Sequence, residues 1–461
     1  MGGSKIHVLM FPWFAFGHMT PFLHLANKLA EKGHKVTYLL PKKAQEQLEN
    51  LNLHPESISF NLVSVPSVND LPAGAETASD IPISLSSSLA SAMDLTRDQV
   101  EARVHALKPD LIFYDFAHWI PEIAQRIGVK TVCYVTVSAA TVAISLVPGL
   151  ISSRDGPKTE DELVIPPPGY PSSKVVFYRH EARTLLFLSL PFGDGTTFYE
   201  RVIMALTKCD AICLRTYKEL ERKFCEYIES QYQKKVLLTG PMLPDPDKTK
   251  PLEDRWSNWL SVFEPGSVVF CALGSQIILE KDQFQELCLG LELTGLPFLA
   301  VLKPPNGTSA IQEAFPKGFE ERVKDRGVIY GGWIQQPLIL SHPSVGCFVS
   351  HCGFGSMWES LMSDSQIVLI PHLGDQILNT RLMAEELKVA VEVHRDKTGW
   401  FSKESLSHAI ASVVDKDSET GTFLRKNRQM LKETLVSPGL TSCYVDNFVE
   451  ELQNLVHTNS S

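Results

Sequence analysis

Several things are missing from this sequence, and each absence narrows what the chain can be. No stretch of about 20 uncharged apolar residues occurs, the length a helix needs to cross a bilayer. The longest candidate, Val132 to Leu150, is broken by Thr, Ser, Pro and Gly. Positive charge is not in excess: 43 Lys and Arg against 53 Asp and Glu leave a formal net charge of −10, which argues against nucleic acid as a partner. The nine Cys show neither CxxC spacing nor paired ligand clusters. A disulfide framework or structural zinc is therefore not expected, and the thiols read as free and mostly buried in a reducing cytosol. Met1-Gly2-Gly3-Ser4-Lys5 runs directly into an apolar strand with no small-residue cleavage site, a poor signal peptide. A cytoplasmic location is the expectation. Asn306-Gly307-Thr308 and Asn459-Ser460-Ser461 match the glycosylation acceptor pattern but would carry nothing there. Finally, no GxGxxG turn follows the first strand. The loop reads Phe16-Gly17-His18-Met19, which speaks against an NAD-dependent oxidoreductase.

What is present is a repeated α/β pattern. A chain of 461 residues is too long for one ordinary core, and two domains are the prior. Ile6 to Phe11 is a strand, followed by a loop from Trp13 to Met19 and a helix with Pro21 in its first turn and Phe22, Leu25, Ala26 and Leu29 on one face. Lys35 to Leu40 completes a βαβ unit. His18 lies between the strand and its helix, where open α/β sheets place their ligands. A lone loop histidine is more often structural, but this junction favours a functional one. Pro109 to Asp115 reads as a strand ending in a carboxylate, with helix capping as the equal alternative. Strands of one sheet can bring His18 and Asp115 to the same edge. Leu89 to Leu107 reads as a helix. From Phe177 to Phe192 the chain carries an apolar, aromatic patch, either a local core or one wall of an aromatic-accepting pocket. Both readings stay open.

Met242 to Asp254, rich in Pro and alternating charge, reads as a linker. Val268 to Ser275 then repeats the opening theme of strand, loop and helix. The most informative stretch is Trp333 to Gln376. Gly346 to Ser350 reads as a strand, His351 to Gly355 as a glycine turn, Ser356 to Met362 as a helix, and Gln366 to Pro371 as a second strand. A strand, glycine turn and helix in that order offer unpaired N–H groups to an anion. Ser356 and Glu359 have the spacing of a capping box.

Trp333, Gln336, Pro337, His342-Pro343, His351-Cys352-Gly353, Ser356, Glu359, Pro371 and Asp375-Gln376 together resemble the signature box of plant family 1 UDP-sugar-dependent glycosyltransferases, without a gap. The resemblance extends over most of the chain. It implies an α/β protein of the GT-B class, two Rossmann-like domains facing across a cleft: an acceptor-binding domain over 1–241, a linker over 242–255, a UDP-sugar-binding domain over 256–440, and a last helix over 441–461 returning to the first domain. It further implies that His18 is the catalytic base and Asp115 its orienting carboxylate. Trp333 would stack on uracil, with Ile334 and Gln336 beside the base and Glu359 on the ribose hydroxyls. His351 and Ser356, with the backbone of Gly353, Phe354 and Gly355, would hold the diphosphate and offset its charge, and Asp375 and Gln376 would bind the sugar. Ser275, in the loop after the corresponding strand, joins the nucleotide-binding candidates.

The departures are informative. Phe354-Gly355 stands where typical glucosyltransferases have Trp-Asn, which weakens glucose as the donor sugar. The run FGSMWESLMSDSQIVLIPHLGDQILNTRL is similar to the branch that adds a sugar to a sugar already on a flavonoid or anthocyanin, with UDP-glucose, UDP-xylose or UDP-rhamnose as donor. The expected reaction is inverting and metal-independent, since no Asp-x-Asp motif is placed beside the diphosphate. No cofactor is permanently bound, and the partners are the donor and a small-molecule acceptor, on a monomer. The runner-up within the class is a glucosyltransferase acting directly on an aglycone hydroxyl. A non-enzymatic nucleotide-sugar binder is the rival outside it, and the presence of both His18 and Asp115 speaks against that rival.

Overall fold

The structure, a computed structural model, describes residues 4–150, 156–193, 195–243, 251–274 and 277–457. The chain divides into two compact units. One comprises Met1–Pro171, Leu185–Leu243 and Pro438–Ser461; the other comprises Ser172–Thr184 and Pro244–Ser437.

The first unit is built on a seven-stranded parallel sheet, in the order β3-β2-β1-β4-β5-β6-β7. Its strands are β1 (His7–Phe11), β2 (Lys35–Pro41), β3 (Ile58–Val63), β4 (Leu111–Tyr114), β5 (Lys130–Val135), β6 (Ala211–Leu214) and β7 (Val236–Leu238). Most strand residues are apolar, and β4, β6 and β7 are wholly so, as expected of strands covered on both faces. The order reverses between β1 and β4, which pair from Val8 with Leu111 to Phe11 with Tyr114. At such a switch point the connections leave in opposite directions and open a crevice at the strand ends.

Three helices of this unit concern the site: α1 (Phe16–Glu31), α2 (Ser86–Asp94) and α3 (Phe198–Lys208). Helix α1 begins earlier than the sequence pattern indicated, so Pro21 lies inside it. The missing proline N–H falls near the helix start, where losing one intrahelical bond is least disruptive. The helix expected over Leu89 to Leu107 is two helices, Ser86–Asp94 and Arg97–Leu107. They break at Thr96, which is fully buried and turns its hydroxyl back to the Met93 carbonyl at 2.6 Å.

The second unit holds a six-stranded parallel sheet, in the order β10-β9-β8-β11-β12-β13. These are β8 (Val268–Ala272), β9 (Phe298–Val301), β10 (Gly327–Tyr330), β11 (Val345–Ser350), β12 (Gln366–Leu369) and β13 (Val391–Glu392). Its order reverses between β8 and β11. Helices α4 (Phe354–Met362) and α5 (Gly374–Arg381) follow β11 and β12.

Two stretches leave their neighbours in sequence. Residues 172–184, inside the stretch read as the first domain, pack with the second unit. There the buried Glu181 carboxylate pairs with Arg381 at 2.7 Å and Arg395 at 3.0 Å. The last helix, α6 (Leu440–His457), packs with the first unit. Its Val445, Phe448 and Leu452 enter the core against α1 and the sheet, the Phe448 ring 6.2 Å from that of Phe113. All nine Cys are unpaired, and eight of them are buried.

Candidate active site

His18 and Asp115 come from the two strands that flank the switch point of the first sheet. Asp115 immediately follows β4, and His18 stands in the first turn of α1. His18 Nδ1 lies 2.8 Å from Asp115 Oδ2 and 3.1 Å from Thr136 Oγ1. The other carboxylate oxygen, Oδ1, accepts the backbone N–H groups of Trp13 at 2.7 Å and Phe116 at 2.6 Å. These two donors satisfy one oxygen of the buried carboxylate and fix its orientation. With Nδ1–H donated to Asp115, the imidazole lone pair resides on Nε2. That is the arrangement of an oriented general base.

The ring of His18 packs against Phe116 at 5.3 Å. Phe116 in turn contacts Trp13, Phe192 and Phe198, with ring centroids 5.6, 5.6 and 5.2 Å away. Part of the aromatic patch read from the sequence is therefore beside His18. Its earlier part, Phe177 and Tyr178, belongs to the stretch that packs in the second unit, where Arg381 covers the Tyr178 ring at 4.5 Å.

The second cluster surrounds the switch point of the second sheet. Cys352 takes a left-handed conformation (φ 59), unusual for a residue with a Cβ. Its N–H bonds Ser350 Oγ at 3.1 Å and its carbonyl accepts Asn379 Nδ2 at 3.0 Å. This turn starts α4 at Phe354, with Gly353 as N-cap and no side chain capping it. The capping box expected at Ser356 and Glu359 is thus not formed. Ser356 is already inside the helix, and both side chains meet Gln336, whose Nε2 lies 3.2 Å from Ser356 Oγ and 2.5 Å from Glu359 Oε2. The Met357 N–H bonds the Gly353 carbonyl at 2.8 Å, which closes the first turn of the helix. A helix start of this kind is one that an anion can meet.

His351 fits between two glycines. A Cβ on Gly274 or on Gly353 would lie 2.6 Å from its Nε2. Burial lowers the His351 pKa to about 4, and burial with the neighbouring His351 and Arg395 lowers that of His372 to about 4. A ring whose pKa is lowered this far brings an N–H dipole rather than a full positive charge to its surroundings near neutral pH. Gly355 is the opposite case, because a Cβ there meets nothing within 4 Å. Where the similar family carries Asn, this chain leaves open space.

Trp333 stands 76% exposed, unusual for so large an apolar ring, next to the buried Ile334. Gln376 accepts the N–H groups of His372 at 3.0 Å and Leu373 at 3.1 Å through Oε1. Gln376 itself is buried, while Asp375 next to it, in the first turn of α5, is half-buried. Ser275 lies outside the described residues. Among the described residues no group of three or more His, Cys, Asp or Glu side chains is placed to hold a metal ion. Nor is any helix among them long and apolar enough to cross a membrane.

Thr136, Phe116, Gly274 and Asn379 were not singled out from the sequence. Thr136 had a readable signal, since it ends an apolar strand run as Asp115 does. Asn379, inside a helix, had none.

Comparison with known proteins agrees with this geometry. Residues 245–428 match the family model described as UDP-glucoronosyl and UDP-glucosyl transferase. The chain is 67% identical over 454 residues to UDP-glycosyltransferase 79B6 of Arabidopsis thaliana, covering 98% of each. It is 65% identical over 459 residues to UDP-glycosyltransferase 79B9 of the same plant, covering 99% of each. Among solved structures, Glycyrrhiza uralensis UGT73P12 complexed with glycyrrhetinic acid 3-O-monoglucuronide superposes with a TM-score of 0.82 at 21% identity, over 99% of this chain and 97% of that one. Arabidopsis thaliana UGT89C1 complexed with UDP-L-rhamnose gives 0.77 at 23% identity, over 98% and 100%. The fold is thus that of the GT-B enzymes, two Rossmann-like domains. The chain belongs to the plant family 1 UDP-glycosyltransferases. It is an enzyme that transfers a sugar from a UDP-sugar to a small molecule.

Proposed function

We propose that this enzyme transfers the sugar with inversion, and without a divalent metal, to a hydroxyl of a flavonoid-type glycoside, the 2-hydroxyl of an attached glucose. The observation that carries the mechanism is the 2.8 Å contact between His18 Nδ1 and Asp115 Oδ2. In this reading Nε2 takes the proton of the acceptor hydroxyl while that oxygen bonds to the anomeric carbon and the bond from that carbon to the diphosphate breaks. Asp115 fixes the tautomer and stabilises the imidazolium as it forms, the oriented-base logic of hydrolase triads without a covalent nucleophile.

The donor residues are assigned on the same basis. Trp333 offers its exposed face to uracil with Ile334 and Gln336 beside the base, Glu359, held by Gln336, faces the ribose, and the start of α4 with His351 takes the leaving diphosphate. Asp375 and the Gln376 amide address the sugar hydroxyls. Catalysis then requires that the donor's anomeric carbon reach the acceptor oxygen beside His18 in the reacting complex. The metal-free reading rests on the lack of a suitably placed Asp-x-Asp motif. Activity lost on chelation and restored by magnesium would contradict it.

The glycoside acceptor is supported by the similarity of the run from Phe354 to Leu382 to the glycoside-extending branch. Product analysis by mass spectrometry tests it, with UDP-glucose, UDP-xylose and UDP-rhamnose each offered with a flavonoid and its 3-O-glucoside. A disaccharide product from the 3-O-glucoside is expected. Products from the aglycone alone would favour direct glycosylation of an aglycone hydroxyl.

A further inference from the structure

Arg201, on α3, is completely enclosed. A buried guanidinium costs several kcal/mol unless its donors are matched, and this one reaches three separate parts of the unit. Its Nη1 lies 2.9 Å from Asp94 Oδ1, its Nη2 bonds Asp94 Oδ2, and Nη1 also donates to the Phe116 carbonyl at 3.0 Å. Its Nε donates to the Phe192 carbonyl at 2.8 Å. Asp94, at the end of α2, receives the Trp119 indole N–H as well, at 3.0 Å. The packing has no slack: at Gly193 (φ 78) a Cβ would lie 2.3 Å from Arg201 Nη2 and 2.6 Å from Asp94 Oδ2.

The two carbonyls held by Arg201 belong to the two rings that continue the wall from His18. Phe116 is held on both sides, its N–H on Asp115 Oδ1 at 2.6 Å and its C=O on Arg201 at 3.0 Å. An apolar side chain of similar volume could fill this space without the desolvation cost. What it could not do is hold two backbone segments in one geometry, which a planar fork with fixed donor directions does.

We propose that Arg201, paired with Asp94, is a positioning residue for acceptor selection. It holds Phe116 and Phe192, whose rings are tilted by 47° to each other, as a rigid aromatic wall beside His18, against which the ring system of the acceptor packs. The proposal rests on the reading of His18 and Asp115 as the acceptor-activating pair.

The test uses the full-length chain carrying Arg201→Lys, which keeps the charge and the aliphatic stem but loses the fork. Titration calorimetry with a flavonol 3-O-glucoside and, separately, with UDP gives the two affinities, and steady-state kinetics gives KM for each substrate. We expect acceptor affinity to fall about tenfold or more, acceptor KM to rise to match, and UDP affinity to stay within about twofold. A folded variant with unchanged acceptor affinity and KM would overturn the proposal, as would equal losses for acceptor and UDP. Should Arg201→Lys fail to fold, Phe192→Ala removes one ring of the wall and leaves the buried pair in place. The same selective loss of acceptor affinity is expected, and its absence overturns the proposal. His18→Ala separates the two levels. If it loses turnover while Arg201→Lys binds acceptor normally, only the positioning role fails. If it keeps turnover, the underlying site reading fails.

Discussion

Asp115 and His18 are 97 residues apart in sequence and 2.8 Å apart in the fold. The Asp115 oxygen not facing His18 already accepts two backbone N–H groups, from Trp13 and Phe116. The two oxygens of this carboxylate therefore have different duties, one to the loops and one to the imidazole.

That division makes Asp115→Asn a sharp substitution. The single amide oxygen is drawn to the two backbone donors, which turns the NH₂ toward His18 Nδ1. The imidazole then carries its proton on Nε2 and cannot accept another there. Turnover is expected to fall by roughly 10²–10⁴-fold, with UDP affinity retained. Rate measurements with nitrogen NMR of the histidine tautomer check both halves of the expectation.

The two glycines that flank His351, Gly274 and Gly353, are expected to behave differently from Gly355. Gly353→Ala and Gly274→Ala each place a Cβ 2.6 Å from the imidazole, so the ring must move. UDP affinity is expected to drop about tenfold or more, since a shift of even 1 Å breaks hydrogen-bond geometry. Gly355→Ala has open space and stands in a helix, so it should be neutral or stabilising by up to about 1 kcal/mol. Thermal melts and UDP titrations of the three variants provide the comparison.

The pH dependence of stability follows from His351 and His372. Both have folded pKa values lowered from 6.5 to about 4. Between those limits the unfolded chain binds protons that the folded one does not, so stability rises with pH there. It is fully present above about pH 6.5 and declines as pH falls toward about 4. Melting temperatures across this range should show the decline, and His372→Gln should make the slope shallower.

Glu181 is 2% exposed and faces two arginines, Arg381 and Arg395. Glu181→Gln leaves Arg381 and Arg395 with Glu392 as their carboxylate partner among the described residues. Breaking a buried pair from one side costs about 3–5 kcal/mol, and urea denaturation should show a loss of that order. Arg381 ends the helix that begins with Asp375 and Gln376, so weaker donor binding should accompany it.

The parts legible in the sequence are those written locally. The βαβ rhythm, the glycine turn after Ser350 and the strand-end position of Asp115 each depend on neighbouring residues, and each was readable. The misplaced details are those decided at a distance. Ser356 has the spacing of a capping residue, but the left-handed turn at Cys352 starts the helix early and leaves Ser356 to Gln336. Residues 172–184 carry no local sign of joining the second unit, because their attachment depends on Arg381 and Arg395, some 200 residues on. Arg201 looks like an ordinary helix-surface residue until Asp94 is brought to it. The charge state of His351 likewise depends on burial, which the residue's type and spacing do not reveal.

The most direct test of the account is the turnover of His18→Ala in a protein shown to bind UDP normally. Turnover lower by about 10²–10⁴-fold, with acceptor and donor both still bound, is the result expected of a lost general base. Near-normal turnover would show that the imidazole beside Asp115 does not take the acceptor's proton, and would contradict the account.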